Sequence, residues 1–244
     1  MSSEYDIENN ILKFKFGFNE EITEEYLEVF NRVRKISFGT TFNKPIKIKI
    51  PSNVIDINFG YYFNQELDNL PDNLEHLILG FHFNRRIDNL PVTLKILYLS
   101  QYFNHPIDNL PVGLKELRIN DDFNHSLDFL PNGLEKITFM ETSIFSHSFD
   151  NLPTTLKEIE IPISYPGSIN NLPDSIEEIR IGVKYKYYVK RRLICKERTN
   201  ITPPFSYVKI TRFPSNLKRL YIFDDYLHLE ELKEKLSEKL IIVN

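Results

Sequence analysis

The sequence predicts a β-rich solenoid, a leucine-rich-repeat-like right-handed superhelix of about ten coils with a parallel sheet on one face and a C-terminal capping helix. Three observations carry that prediction. Pro51, Pro71, Pro91, Pro111 and Pro131 are each 20 residues apart, and Pro153, Pro173 and Pro214 follow after 22, 20 and 41. Around them the chain repeats the unit Phe-Asn-x-x-Ile-Asp-Asn-Leu-Pro-x-x-Leu-x-x-Leu-x-Leu, present whole from Phe83 to Leu99. Within each unit the Leu-x-Leu piece alternates with period two, as a short strand with one buried and one exposed face requires.

Each part of the unit has a physical role. A return to an equivalent strand after 20 residues is too short for a free-standing βαβ domain and right for one solenoid coil, with successive strands pairing in parallel. The expected strands are Phe14 to Phe16, Ile36 to Phe38, Ile57 to Phe59, Leu77 to Leu79, Leu97 to Leu99, Leu117 to Ile119, Ile137 to Phe139, Ile159 to Ile161, Ile179 to Ile181 and Leu220 to Ile222. Leu-Pro marks a corner, because proline fixes its own φ and pushes its predecessor toward extended geometry. The pairs Asp68-Asn69, Asp88-Asn89, Asp108-Asn109 and Asp150-Asn151 place short polar side chains where they can bond turn amides. Asn43, Asn64, Asn84, Asn104 and Asn124 are expected to bond the backbone of neighbouring coils, beside an aromatic spine of Phe42, Phe63, Phe83, Phe103, Phe123 and Phe145.

With Phe-Asn-x-Pro-Ile at Phe42 to Ile46 and again at Phe103 to Ile107, the repeat resembles the FNIP-repeat family over roughly Phe42 to Phe223. The resemblance implies a leucine-rich-repeat relative that mediates protein interaction, of the kind found in social amoebae and in the giant viruses that infect amoebae. Many members of that family carry an amino-terminal F-box. Here the first 40 residues read as a cap with repeat-like strands around a helical piece, Thr23 to Asn31, with no F-box.

The organisation expected is one continuous solenoid. It comprises an N-terminal cap with the first repeat-like strands over 1–40, repeats over 41–182, a basic insertion over 183–212, a last repeat over 213–223 and a helical cap over 224–244. The helix follows from Leu229, Leu232, Leu236 and Leu240, which recur at three- and four-residue steps among Glu and Lys. The insertion follows from the distance between Ile181 and Phe205, about 20 residues longer than in other units, with neither a Leu-Pro corner nor a Leu-x-x-Leu-x-Leu strand; alternation at Lys184 to Tyr187 and Tyr207 to Thr211 around Pro203-Pro204 suggests a hairpin-like excursion. It carries nine basic residues against the single acid Glu197, while the rest of the chain has 21 basic and 33 acidic residues.

Composition narrows the function classes. A net charge of −4 gives no global reason for nucleic-acid or anionic-membrane binding, and no apolar run is long enough to span a bilayer. The lone Cys195 precludes an internal disulfide framework, and the first ten residues do not read as a secretory signal, so an intracellular, cytoplasmic location is expected, the host cytoplasm if the protein is viral.

The residues that could carry chemistry also fit structural roles. His105, His125 and His147 share one repeat position on three successive coils, a spacing that suits zinc, but Arg85 and Gln65 stand at the same position, which reads as a polar surface column. The pairs His125-Ser126 and His147-Ser148 lack a placed acid and any nucleophile-elbow motif, and Cys195 has no assignable histidine. No catalytic residue, metal or cofactor is therefore expected.

The outward strand positions behave differently from the invariant ones. One column reads Asp56, His76, Ile96, Glu116, Lys136, Glu158, Glu178, and the next Asn58, Ile78, Tyr98, Arg118, Thr138, Glu160, Arg180. Variation on a constant frame suits recognition. The expected function is a non-enzymatic protein-binding scaffold or adaptor, using Ile78, Ile96, Tyr98 and Arg118 on the strand face together with Lys184, Tyr185, Lys186, Tyr187, Lys190, Arg191 and Arg192 of the insertion. One alternative is nucleic-acid or ribonucleoprotein contact through that Tyr-rich basic insertion. A second is substrate recognition for a ubiquitin ligase without an F-box of its own.

Overall fold

In the computed structural model, which describes residues 4–162, 164–182, 210–222 and 241–243, the strands form one 12-stranded sheet ordered as they occur along the chain. An antiparallel hairpin, β1 (Tyr5–Glu8) and β2 (Ile11–Phe14), opens it. Parallel strands follow: β3 (Lys35–Ser37), β4 (Asp56–Asn58), β5 (His76–Ile78), β6 (Ile96–Tyr98), β7 (Glu116–Ile119), β8 (Lys136–Phe139), β9 (Glu158–Ile161), β10 (Glu178–Ile181), β11 (Arg219–Ile222) and β12 (Ile241–Val243). Each of β3 to β11 starts one residue before its Leu-x-Leu signal. The amide of the preceding outward residue already joins the ladder, as where His76 N donates to Ile55 O at 3.0 Å.

The first strand departs from expectation. Leu12, Phe14 and Phe16 alternate with period two, so two registers fit the pattern equally well. Pairing of Leu12 with Ile36 puts Leu12 and Phe14 in the core and leaves Phe16 71% exposed. The hairpin decides the register: Asn9 and Asn10, at φ 52 and 62, make the tight turn that joins β2 to an antiparallel partner. That partner lies in a segment whose composition reads only as polar. The helical piece at Thr23 to Asn31 is present as a single 3-10 turn running into α1 (Leu27–Phe30), which buries Val29 and Phe30 beneath the first coils.

At the other end, Ile241–Val243 pairs in parallel with β11 as a strand, within the stretch expected to be helical. The remainder of the expected cap, 224–240 and 244, lies outside the described residues. Strand β10 pairs directly with β11, Glu178 opposite Arg219, although equivalent residues are 41 positions apart. The chain returns at Ile210, which is buried, and Arg212 secures it by donating to Asn170 O at 3.0 Å and to Asp174 Oδ1 at 2.6 Å.

Two tight turns close each coil. The proline carbonyl accepts from the amide three residues on, as in Leu94 N to Pro91 O at 3.1 Å and Leu114 N to Pro111 O at 3.0 Å. A second turn follows the strand, as in Phe63 N to Gly60 O at 3.2 Å. The early coils approach so closely there that a Cβ on Gly60 would sit 1.8 Å from the Gly39 carbonyl oxygen.

Inside, the leucines and isoleucines of strand and corner pack in columns with the aromatic spine. Phe42, Phe63, Phe83, Phe103, Phe123 and Phe145 are buried and stack face to face, with centroids 5.6 to 6.5 Å apart. Phe18 and Tyr165 extend the stack at its two ends. The asparagine ladder runs beside it. Asn43, Asn64, Asn84 and Asn104 each accept, through Oδ1, the amide of the next coil's asparagine at 2.9 to 3.1 Å. Asn124 accepts from Ser146 N in the same way. These amides point between coils where no strand ladder reaches, so the ladder satisfies them.

Candidate functional site

Side chains that leave the core on three surfaces are the material for a site: the outer strand face, the polar column beside the asparagine ladder, and the loop after each strand. The polar column links each coil to the one before. His105, His125 and His147 each direct Nε2 at the carbonyl oxygen of the asparagine one coil back, at 3.2, 3.1 and 3.0 Å. Arg85 Nε donates to Asn64 O at 2.8 Å from the equivalent position. A nitrogen facing a carbonyl donates its proton, which leaves the lone pair of the neutral ring on Nδ1. Among the described residues no group of three His, Cys, Asp or Glu side chains comes together as a metal site. Ser126 Oγ donates to Asp128 Oδ2 at 2.5 Å within the turn. The Asp-Asn corners do more than close turns, since Asn151 Nδ2 reaches Asp128 Oδ1 at 2.8 Å and Asn171 Nδ2 reaches Asp150 Oδ1 at 2.7 Å, linking one coil to the next.

On the strand face, pairing sets the outward residues in true columns: Ile78 lies beside Tyr98 and Tyr98 beside Arg118, with Ile96 between His76 and Glu116. The structure thus brings together Ile78, Ile96, Tyr98 and Arg118. All four are half-buried, because neighbours only one strand apart shield each other. Tyr98 is held in place. Its hydroxyl donates to Glu116 Oε1 at 2.8 Å, and the Arg118 guanidinium lies 5.6 Å from its ring centroid, with Nη2 reaching Met140 Sδ at 2.9 Å. Burial first, and then the bond to Glu116, raises the Tyr98 pKa, so the phenol stays neutral at physiological pH. Lys184, Tyr185, Lys186, Tyr187, Lys190, Arg191 and Arg192 of the insertion, and Cys195, lie outside the described residues.

Either side of this apolar patch the face is charged. On one side Asp56 binds Lys35 Nζ at 3.0 Å, with His76 Nδ1 at 3.5 Å. On the other, Lys136 pairs with Glu158 at 3.0 Å, and the buried carboxylate of Glu178 is gripped by Arg180 at 2.5 Å and Arg219 at 2.6 Å. Arg180 in turn lies 4.4 Å from the Tyr221 ring centroid. A depression of about 200 Å³ opens among these charged groups.

The third surface was not legible as a site in the sequence. Two residues follow the strand-end turn position in each coil: Thr40-Thr41, Tyr61-Tyr62, Phe81-His82, Gln101-Tyr102, Asp121-Asp122 and Glu141-Thr142. On three neighbouring coils they form an aromatic cluster. Tyr61 stacks on Phe81 at 4.5 Å, Tyr62 on His82 at 5.2 Å, and Tyr102 meets Phe81 edge-on at 5.2 Å and His82 at 5.1 Å. Tyr62 is 48% exposed. The only sequence signal is that aromatic residues occupy one non-core column on successive coils, and that signal appears once the coils are aligned on their glycine or its replacement.

Comparison with known proteins places this geometry. Residues 42–82 and 103–142 match the FNIP Repeat family model, each match spanning two coils. The fold is similar to the crystal structure of CroV588, a giant-virus protein described as a novel circular LRR protein structure, at a TM-score of 0.62 and 22% identity. That similarity covers 92% of this chain and 38% of CroV588, so the chain spans well under half the length of that protein. No curated protein matches the sequence. Among the described residues no helix is long and apolar enough to cross a membrane.

Proposed function

Because FNIP repeats build its middle coils and a leucine-rich-repeat-like solenoid carries them, we propose that this protein is a non-enzymatic, intracellular scaffold or adaptor that binds another protein through the strand face. The observation that carries this reading is the patch of Ile78, Ile96 and Tyr98, set side by side on adjacent strands, turned away from the core and bordered by charge. An apolar centre with a polar rim is the anatomy of a protein interface. Tyr98 is already fixed by Glu116 and Arg118, so little side-chain freedom is lost when a partner docks.

The test is capture of partners from an amoebal lysate by the full chain, by an Ile78→Glu/Tyr98→Ser variant and by a chain lacking 183–202, each with and without nuclease. Protein partners that survive nuclease and are lost with the strand-face variant support the reading. Partners that all vanish on nuclease treatment, or that depend on the 183–202 segment and ignore the strand face, favour nucleic-acid contact through that segment instead. Both substitutions are at half-buried surface positions, and an unchanged circular dichroism spectrum and melting temperature establish that the fold is intact.

A further inference from the structure

The aromatic cluster after β4, β5 and β6 is not required to close the turn it sits on. Coils with Thr40-Thr41 or Glu141-Thr142 at the same place close the same turn, Phe42 N to Gly39 O at 3.2 Å and Ser143 N to Met140 O at 3.0 Å, without rings there. The stripe changes character along the solenoid, for the next two coils carry Asp121, Asp122 and Glu141. Most carboxylates just before the strands are paired, with Glu75 on Lys95 at 2.9 Å, Glu135 on Lys115 at 3.0 Å and Glu177 on Lys218 at 2.7 Å. Asp122 and Glu141 have no ion-pair partner among the described residues. One continuous strip therefore presents rings for three coils, half-buried apart from the exposed Tyr62, and for the next two coils the half-buried carboxylates of Asp122 and Glu141, which have no ion-pair partner among the described residues.

Resting on the reading of the chain as a protein-binding scaffold, we infer that this strip receives an extended segment of the partner in which an apolar or aromatic anchor is followed within a few residues by lysine or arginine. The dimensions agree. At roughly 4.8 Å per coil, Tyr62 and Glu141 stand about 20 Å apart along the array, which an extended peptide rising about 3.3 Å per residue covers in about six residues. The rings bury the anchor, and the carboxylates pair with the cation and set the direction of the segment.

Panning a displayed library of random 12-residue peptides on the full chain tests this. Enriched sequences are expected to combine an aromatic residue, Leu or Met with Lys or Arg two to six positions away. A synthetic peptide of the consensus, labelled with tryptophan, can be followed by its own emission because the protein contains no tryptophan. It should lose at least tenfold in affinity against Tyr62→Ser and against Asp122→Lys/Glu141→Lys, and its binding should weaken with added salt in the wild type but not in Asp122→Asn/Glu141→Gln. Absence of enrichment, enrichment without basic residues, or affinity unchanged by these variants overturns the inference. If the peptide or the captured partners respond to Ile78→Glu but not to Tyr62→Ser, the strand-face reading stands and only this inference fails. If neither substitution matters, both fall.

Discussion

The phenylalanine and asparagine side of the solenoid and its strand-face side are built on the same coils and follow opposite rules. On the first, one residue type recurs: six stacked phenylalanines with nearly parallel rings, and an amide ladder of nearly constant length. On the second, most positions change from one coil to the next, and where Glu158 lies beside Glu178 the repeated charge is offset by Lys136, Arg180 and Arg219. A solenoid makes equivalent residues into contacts, so repetition stabilises where identical groups complement each other, as aromatic faces and amide donor-acceptor pairs do. Repetition of a charge would set like beside like about 5 Å apart. The column before the strands accordingly mixes signs, with Glu135 between Lys115 and Lys157. Difference is thus the natural state of the polar face, and it leaves that face available for recognition.

The sharpest way to break this contrast is on the repeated side. Phe83→Ala should cost about 3–5 kcal/mol, because a fully buried ring is removed from the middle of the stack. Hydrogen exchange should rise first in the adjoining coils, since each coil is stabilised chiefly by its neighbours. A loss below about 1 kcal/mol would mean that the spine is not what holds the coils together. Next in size is Asn104→Ala, which removes the acceptor for the Asn124 amide at 3.1 Å. About 1 kcal/mol is expected, with the loss of protection centred on the Asn124 amide. A serine on the strand face at Tyr98 should change the melting temperature less than either.

The smallest effect concerns pH. Bonds from Ser126 and then Asn151 hold the Asp128 carboxyl below the ordinary aspartate range. A pKa depressed in the folded state contributes stability that is present above the unfolded value of about 3.9 and is lost as pH falls through the folded value. The melting-temperature gap between wild type and Asp128→Asn should therefore be visible at neutral pH and close below about pH 4. A gap that widens on acidification would show that the charge is not what the corner uses.

Much of this architecture could be read from the residues because a 20-residue period and a two-residue alternation are both local signals. They fixed which side chains face inward, the spine from Phe42 to Phe145, the asparagine ladder, and the columns containing Ile78, Ile96 and Tyr98. Long-range pairing settled the rest. Leu12 and Phe14, rather than Phe14 and Phe16, entered the core because an antiparallel partner, Tyr5–Glu8, fixed the register of β2. Ile241–Val243 became a strand because β11 offered an edge. The histidine column joins coil to coil because each Nε2 found a carbonyl one coil away. Tyr61, Tyr62, Phe81, His82 and Tyr102 are spread over 42 residues of chain, and only the closing of three coils gathers their rings into one surface. Alternation tells which way a side chain points; which distant side chain it meets is decided when the backbone pairs.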